Sequence, residues 1–181
     1  MKINAMLNPV LIRPYQPSDP IPEITSLLHR AYGPLAAQGL RYLASHQDDQ
    51  TTLERLTSGA SFVAIKDNAI AGTITVYRPY PEAEVPLYRQ PGVNHFGQFA
   101  VEPNLQGSGL GRRLYLTIED HCRSNNVKTL ALDTAETATH LIDLYARWGF
   151  EIVDHVQWDI TNYRSVIMAK DLAAVRRKGN S

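Results

Sequence analysis

Gln106-Gly107-Ser108-Gly109-Leu110-Gly111-Arg112-Arg113 is the stretch in which this chain is equipped to hold an anion, because three glycines alternate there with other residues. Glycine lacks a β-carbon, so its backbone can take positive φ and let a phosphate oxygen approach the amide nitrogens. Consecutive N–H groups in such a turn, joined to the unpaired N–H groups of a helix start, make a concave donor site for phosphate. A helix start follows directly. Leu110, Leu114, Ile118 and Cys122 recur every four residues, while Arg112, Arg113, Glu119, Asp120 and Arg123 fall elsewhere. Ahead of the loop an apolar run stops at Pro103, so the segment reads strand, phosphate loop, helix.

The spacing excludes two common phosphate loops. A dinucleotide fingerprint counted from Gly107 requires glycine where Arg112 stands, and no Gly-Lys followed by Ser or Thr occurs for a nucleotide-triphosphate loop. What remains is Gln106-x-x-Gly109-x-Gly111 after a strand ending Val101-x-Pro103.

The elements that must carry this loop follow from periodicity and breakers. A first strand covers 10–15, and a helix with Ile21, Ile24, Leu27, Leu28 and Ala31 as its stripe is expected to break at Tyr32-Gly33-Pro34. A second helix over 35–45, interrupted at Gly39, and a short third one over 51–56, capped by Thr51 or Thr52, come next. Residues 61–66 and 69–77 form a hairpin about Asp67-Asn68, in which Gly72 marks a bulge or a close approach. The proline-rich stretch 78–92 reads as a long loop near the site. Beyond the loop and its helix, a strand over 128–134 precedes a helix over 137–148 stopped by Gly149, then strands over 150–156 and 164–169 and a frayed basic tail over 175–181.

Composition bounds the partners. The 181 residues suit one domain, 1–181. Lys plus Arg and Asp plus Glu each total 18, so no nucleic acid or anionic membrane is expected as a partner. No run spans a bilayer and residues 1–6 lack the apolar core of a signal peptide, which sets the expected location in the cytoplasm. Cys122 is the only cysteine and falls on the apolar helix face, a buried structural thiol. The six histidines show no ligand spacing, and no metal is expected.

The glycine loop resembles the acetyl-coenzyme A pyrophosphate loop of the GNAT superfamily of N-acetyltransferases. Leu144-Tyr145-Ala146-Arg147-Trp148-Gly149-Phe150 is similar to a second motif of that family, in the same order along the chain. The resemblance implies an α/β fold, a mixed and mostly antiparallel sheet of six to seven strands flanked by helices. It implies acetyl-coenzyme A as cosubstrate, held by Gln106, Gly107, Ser108, Gly109, Leu110, Gly111 and Arg112. The acetyl group would pass by direct attack to a primary amine of a small molecule or peptide. A backbone N–H of Ala100 or Val101 would stabilise the tetrahedral oxyanion, and Tyr145 would protonate the leaving thiolate. For the base, His95 stands beside Glu82, Glu84 or water as alternatives; His95 and Gln98 face opposite ways unless a bulge intervenes. Asp133 and Glu136 could hold a cationic substrate, with a helix cap at Asp133 or Thr134 as the plainer role. The family also allows a homodimer through the last two strands. Where many members carry Asn at the start of the tyrosine helix this chain has Ala138, which leaves a non-catalytic acyl-coenzyme A sensing module as the alternative.

Overall fold

The computed structural model describes residues 9–173. The strands Leu11–Pro14 (β1), Ala60–Lys66 (β2), Ala69–Tyr77 (β3), Val93–Val101 (β4), Thr129–Ala135 (β5), Glu151–Val156 (β6) and Ser165–Asp171 (β7) form one sheet in the order β1-β2-β3-β4-β5-β7-β6. Among the described strands only β4 and β5 pair in parallel. The expected hairpin is the β2–β3 pair, turned by Asp67 and Asn68 at φ 50° and 62°. These residue types tolerate the left-handed region such a turn needs.

Two irregularities at the middle of the sheet make room for a site. First, β4 and β5 share only three register pairs, from Val93↔Thr129 to His95↔Ala131. Beyond them β4 continues along β3 and β5 along β7, so the two strands part into a wedge. Second, Thr75 pairs with Gly97 but Thr73 with Ala100, so Gln98 and Phe99 together oppose Ile74 in a β-bulge. Gln98 sits at φ 49°. The extra residue resets the alternation of faces. Phe96 packs against Tyr115 and Tyr145, whereas Gln98 bonds Gln47 and Thr52 on the opposite side, the side Gly97 also faces toward Arg55. The bulge foreseen as a condition is present, and His95 and Gln98 share a face.

The helices differ from expectation at three points. Ile21–Ala37 (α1) runs through Pro34 rather than breaking at 32–34. An internal proline costs about 3 kcal/mol, but burial of Leu35 against Ala135 and Ala138 and the Tyr32 hydroxyl bond to the Phe99 carbonyl offset it. The expected second helix over 35–45 is therefore the end of α1, a turn at Gly39 (φ 85°) and one 3₁₀ turn, Leu43–Ser45. Asp49–Thr57 (α2) is capped by Asp48, whose carboxylate accepts from the Thr51 N–H, not by a threonine. Leu110–Ser124 (α3) buries the predicted stripe Leu110, Leu114, Ile118 and Cys122, each of the three aliphatic side chains contributing about 1.5–3 kcal/mol. Gly72 lets α3 approach: a β-carbon there would lie 2.7 Å from Leu114 Cδ1 and 3.2 Å from the Ala100 carbonyl. Thr139–Arg147 (α4) ends at Gly149, φ 92°.

The stretch 78–92 is not a loop at the site. Its 3₁₀ turn Pro86–Arg89 drives Tyr88 into a cluster with Ala83, Val85, Val93, Ala131 and Ile167, so its apolar residues cover the sheet. No described helix is long and apolar enough to cross a membrane. Residues 1–6 and the tail 175–181 lie outside the described residues.

Behind α3, Glu119 is only 2 % exposed and accepts hydrogen bonds from the Tyr115 hydroxyl, from Arg123 at 2.9 Å and from Lys170 at 2.8 Å. Burial raises its carboxyl, but the bonds from Lys170, Tyr115 and Arg123 outweigh that and hold it down at about 2. A depressed carboxyl stabilises the fold above its ordinary value of 4.5, and that stabilisation fades as pH falls through about 2. Glu119→Gln should cost about 2–4 kcal/mol at pH 7. Urea denaturation at graded pH would detect this, and the variant should lose less stability on acidification than the parent.

Candidate active site

The wedge between β4 and β5 opens into a cavity of about 820 Å³. The glycine loop and the last turn of α4 line one part; α1, the 42–44 turn, Arg55 of α2 and the 158–163 loop line the other, where the start of α4 joins them through Leu141.

The loop end has the form expected of an anion cradle. Gly107 and Gly109 have φ of 80° and 87°, and no atom lies within 4 Å of where their β-carbons would be. Gly109 is the N-cap of α3 without a side-chain cap, so the first amides of the helix, at Leu110, Gly111 and Arg112, have no intrahelical acceptor. Gln106 braces the loop by donating from Nε2 to the Val101 carbonyl at 3.3 Å. Gln106, Gly107, Gly109, Gly111 and Arg112 line the cavity. Two expected members do not reach it with their side chains. Leu110 is in the core, and the Ser108 hydroxyl donates to the Leu105 carbonyl at 2.6 Å.

Ala100 and Val101 line the middle of the cavity. Glu102 donates its N–H to the Ala71 carbonyl on the β3 side at 2.9 Å, and strand amides alternate in direction. The Ala100 amide therefore faces β3, and the Val101 amide faces the gap. Tyr145 reaches the same region from α4, wedged edge-on among Phe96, Trp148 and Phe150. Its hydroxyl has no hydrogen-bond partner among the described residues, and burial lifts its pKa well above 10.

His95 is not on the cavity wall. Its ring stacks on Tyr88 at 4.1 Å and on Tyr77 at 5.2 Å, and burial, with Arg55 nearby, lowers its pKa to about 4. An imidazole held below its ordinary value adds stability as pH rises through about 4 to 6.5. NMR titration should place its midpoint near 4; a midpoint above 6 would contradict this burial. Glu82 and Glu84 do not line the cavity either.

Three polar residues at the far end were not legible in this combination from the sequence. Asp133 projects from β5 and accepts from Trp158 Nε1 at 3.0 Å; burial raises its pKa, against that hydrogen bond. It is no helix cap, since Ala138 begins α4 with no side-chain cap. Arg55 Nη1 donates to Gln47 Oε1 at 2.7 Å, and Gln47 Nε2 donates to Gln98 Oε1 at 2.9 Å and to Thr52 Oγ1 at 2.7 Å. Gln47 and Gln98 are buried, so this network ties the bulge to α2 and aims the guanidinium. Glu136, exposed, is not on the wall.

The model of the acetyltransferase (GNAT) family matches residues 21–150. The chain is 31% identical over 130 residues to S-(2-succino)cysteine N-acetyltransferase of Bacillus subtilis (strain 168), covering 71% of this chain and 76% of that one. It is 27% identical over 133 residues to S-alkylcysteine N-acetyltransferase of the same organism, 72% of either chain. Among solved structures, the ribosomal-protein-S18-alanine N-acetyltransferase of Escherichia coli superposes with a TM-score of 0.70 at 17% identity, over 96% of this chain and all (100%) of that one. A GNAT acetyltransferase of Elizabethkingia anophelis with acetyl-CoA bound gives 0.65 at 20% identity, over 91% of this chain and 99% of that one.

Proposed function

Because the chain belongs to the acetyltransferase (GNAT) family, and so is an N-acetyltransferase using acetyl-coenzyme A, we propose that it acetylates the α-amino group of a cysteine thioether by direct attack on the thioester. The observation that carries this reading is the single cavity joining an open glycine cradle to Tyr145 and, past the wedge, to Asp133 and Arg55. The substrate class is taken from the two relatives, whose names specify S-substituted cysteines.

The residues fit the coenzyme by their own chemistry. The cradle offers unpaired helix-start amides and Arg112 to a pyrophosphate, with no side chain in the way. Acetyl-coenzyme A supplies the thioester carbon that the amine attacks and the thiolate that departs. Around it the Val101 amide donates to the oxygen on which negative charge develops. The Tyr145 hydroxyl, protonated throughout the neutral range, gives its proton to the leaving sulfur. Asp133 takes the proton the amine must lose, its raised pKa narrowing the gap to an ammonium. His95, sealed between rings, has no part in this assignment. A partner-free Tyr145 hydroxyl at the cavity wall also favours catalysis over a sensing role. Release of coenzyme A thiol on mixing the protein, acetyl-coenzyme A and a cysteine thioether tests the reading; release that no cysteine thioether stimulates refutes it.

A further inference from the structure

We propose that the acceptor end of the cavity is built for an α-amino acid with a neutral, apolar side chain: Arg55 pairs with its carboxylate, Asp133 holds its ammonium, and an aromatic wall takes the side chain. The assignment rests on reading this cavity as the acetyl-transfer site, as above.

Arg55 is half-buried at the wall and forms no salt bridge among the described residues. Its charge reaches Asp133 only through space, no carboxylate among the described residues bonds it directly, and the buried Gln47 holds it in that position. An anion from the ligand completes it, and guanidinium geometry matches a carboxylate. Asp133, fixed by Trp158, presents the opposite charge from β5 to the same cavity. Opposite charges on two walls suit the zwitterionic end of an amino acid.

The remaining surface has no second anion site. Leu35, Tyr42, Trp158, Ile160 and Tyr163 line it. Tyr42 offers its ring only, because its hydroxyl is engaged with Thr134 Oγ1 at 2.9 Å and the Ala135 N–H at 3.0 Å. Ile160 is 65 % exposed although it lines the cavity, apolar surface that a ligand would cover. Of the other cationic or imidazole groups on the wall, Arg112 belongs to the glycine loop and Arg147 to the last turn of α4, while the exposed His140 stands in the first turn of α4, next to Leu141. A side-chain carboxylate would find no second guanidinium or ammonium there, only the exposed His140 imidazole, which disfavours it against an apolar group.

The test compares kcat/KM for S-benzylcysteine, its carboxamide, phenylalanine and a cysteine thioether bearing a dicarboxylate, with the parent enzyme, Arg55→Gln and Arg55→Lys. S-benzylcysteine should exceed the dicarboxylate at least about tenfold. Arg55→Gln should cost about 10- to 100-fold on the free acids but under about threefold on the carboxamide, and Lys should recover part of the loss. Faster turnover of the dicarboxylate, equal losses on acid and carboxamide, or turnover of none of these compounds would overturn the assignment. Arg55-dependent turnover of phenylalanine with no thioether accepted would instead refute the thioether reading and leave this pocket standing.

Discussion

Tyr145→Phe is expected to lower kcat by about 10²–10⁴-fold while acetyl-coenzyme A binds within a few-fold of the parent affinity. The ring packs among Phe96, Trp148 and Phe150, contacts that phenylalanine keeps. The hydroxyl bonds no described residue, so removing it leaves no buried group unpaired, and thermal stability should stay within about 1 kcal/mol. Since its pKa lies well above 10, the loss should be uniform across neutral pH and not appear as a shifted inflection. Steady-state kinetics paired with calorimetry separates the two effects. A kcat within threefold of the parent would remove Tyr145 from the chemistry; an equal fall in binding and turnover would make it a packing residue.

Gly109→Glu should weaken acetyl-coenzyme A binding by at least about 100-fold. Two causes act together. At φ 87° a side chain adds roughly 1–2 kcal/mol of backbone strain. More decisively, a carboxylate at the N-cap of α3 can accept from the same helix-start amides that the cradle offers to phosphate, so the variant carries a competing anion in its own chain. That second effect favours the helix, and circular dichroism should therefore show an intact fold. Gly109→Asn, which tolerates left-handed backbone and brings no charge, should cost binding far less. Calorimetric affinities of both variants decide the matter: if Glu and Asn weaken binding equally, strain rather than anion competition is responsible, and if neither does, the loop holds no pyrophosphate.

What the sequence disclosed was the part of the site that is local. The glycine cradle, the α3 stripe, the Gly149 stop and the β2–β3 turn each follow from residues within one or two turns of one another. Where distant packing decides, sequence reasoning failed. Pro34 looked like a helix end because its cost is local, whereas the burial of Leu35 and the Tyr32–Phe99 bond that outweigh it come from β4 and β5. The prolines of 78–92 suggested a long loop near the site, yet Tyr88 closes on His95 and the sheet. Gln98 gave no sign of the bulge, since glutamine does not signal positive φ; only its ties to Gln47 and Thr52 explain it. Asp133 reads as a candidate holder of a cationic substrate, but Arg55 is an ordinary charge on a helix until the sheet brings it to the same cavity.

The short run of parallel pairing has a consequence for how the molecule holds together. Among the described residues, three register pairs are the only ladder joining the β1–β4 half of the sheet to the β5–β7 half. A ligand lying along the wedge touches both margins and acts as a mechanical rivet between them. Each half then melts less independently of the other, so cosubstrate concentration sets not only occupancy but the cooperativity of unfolding.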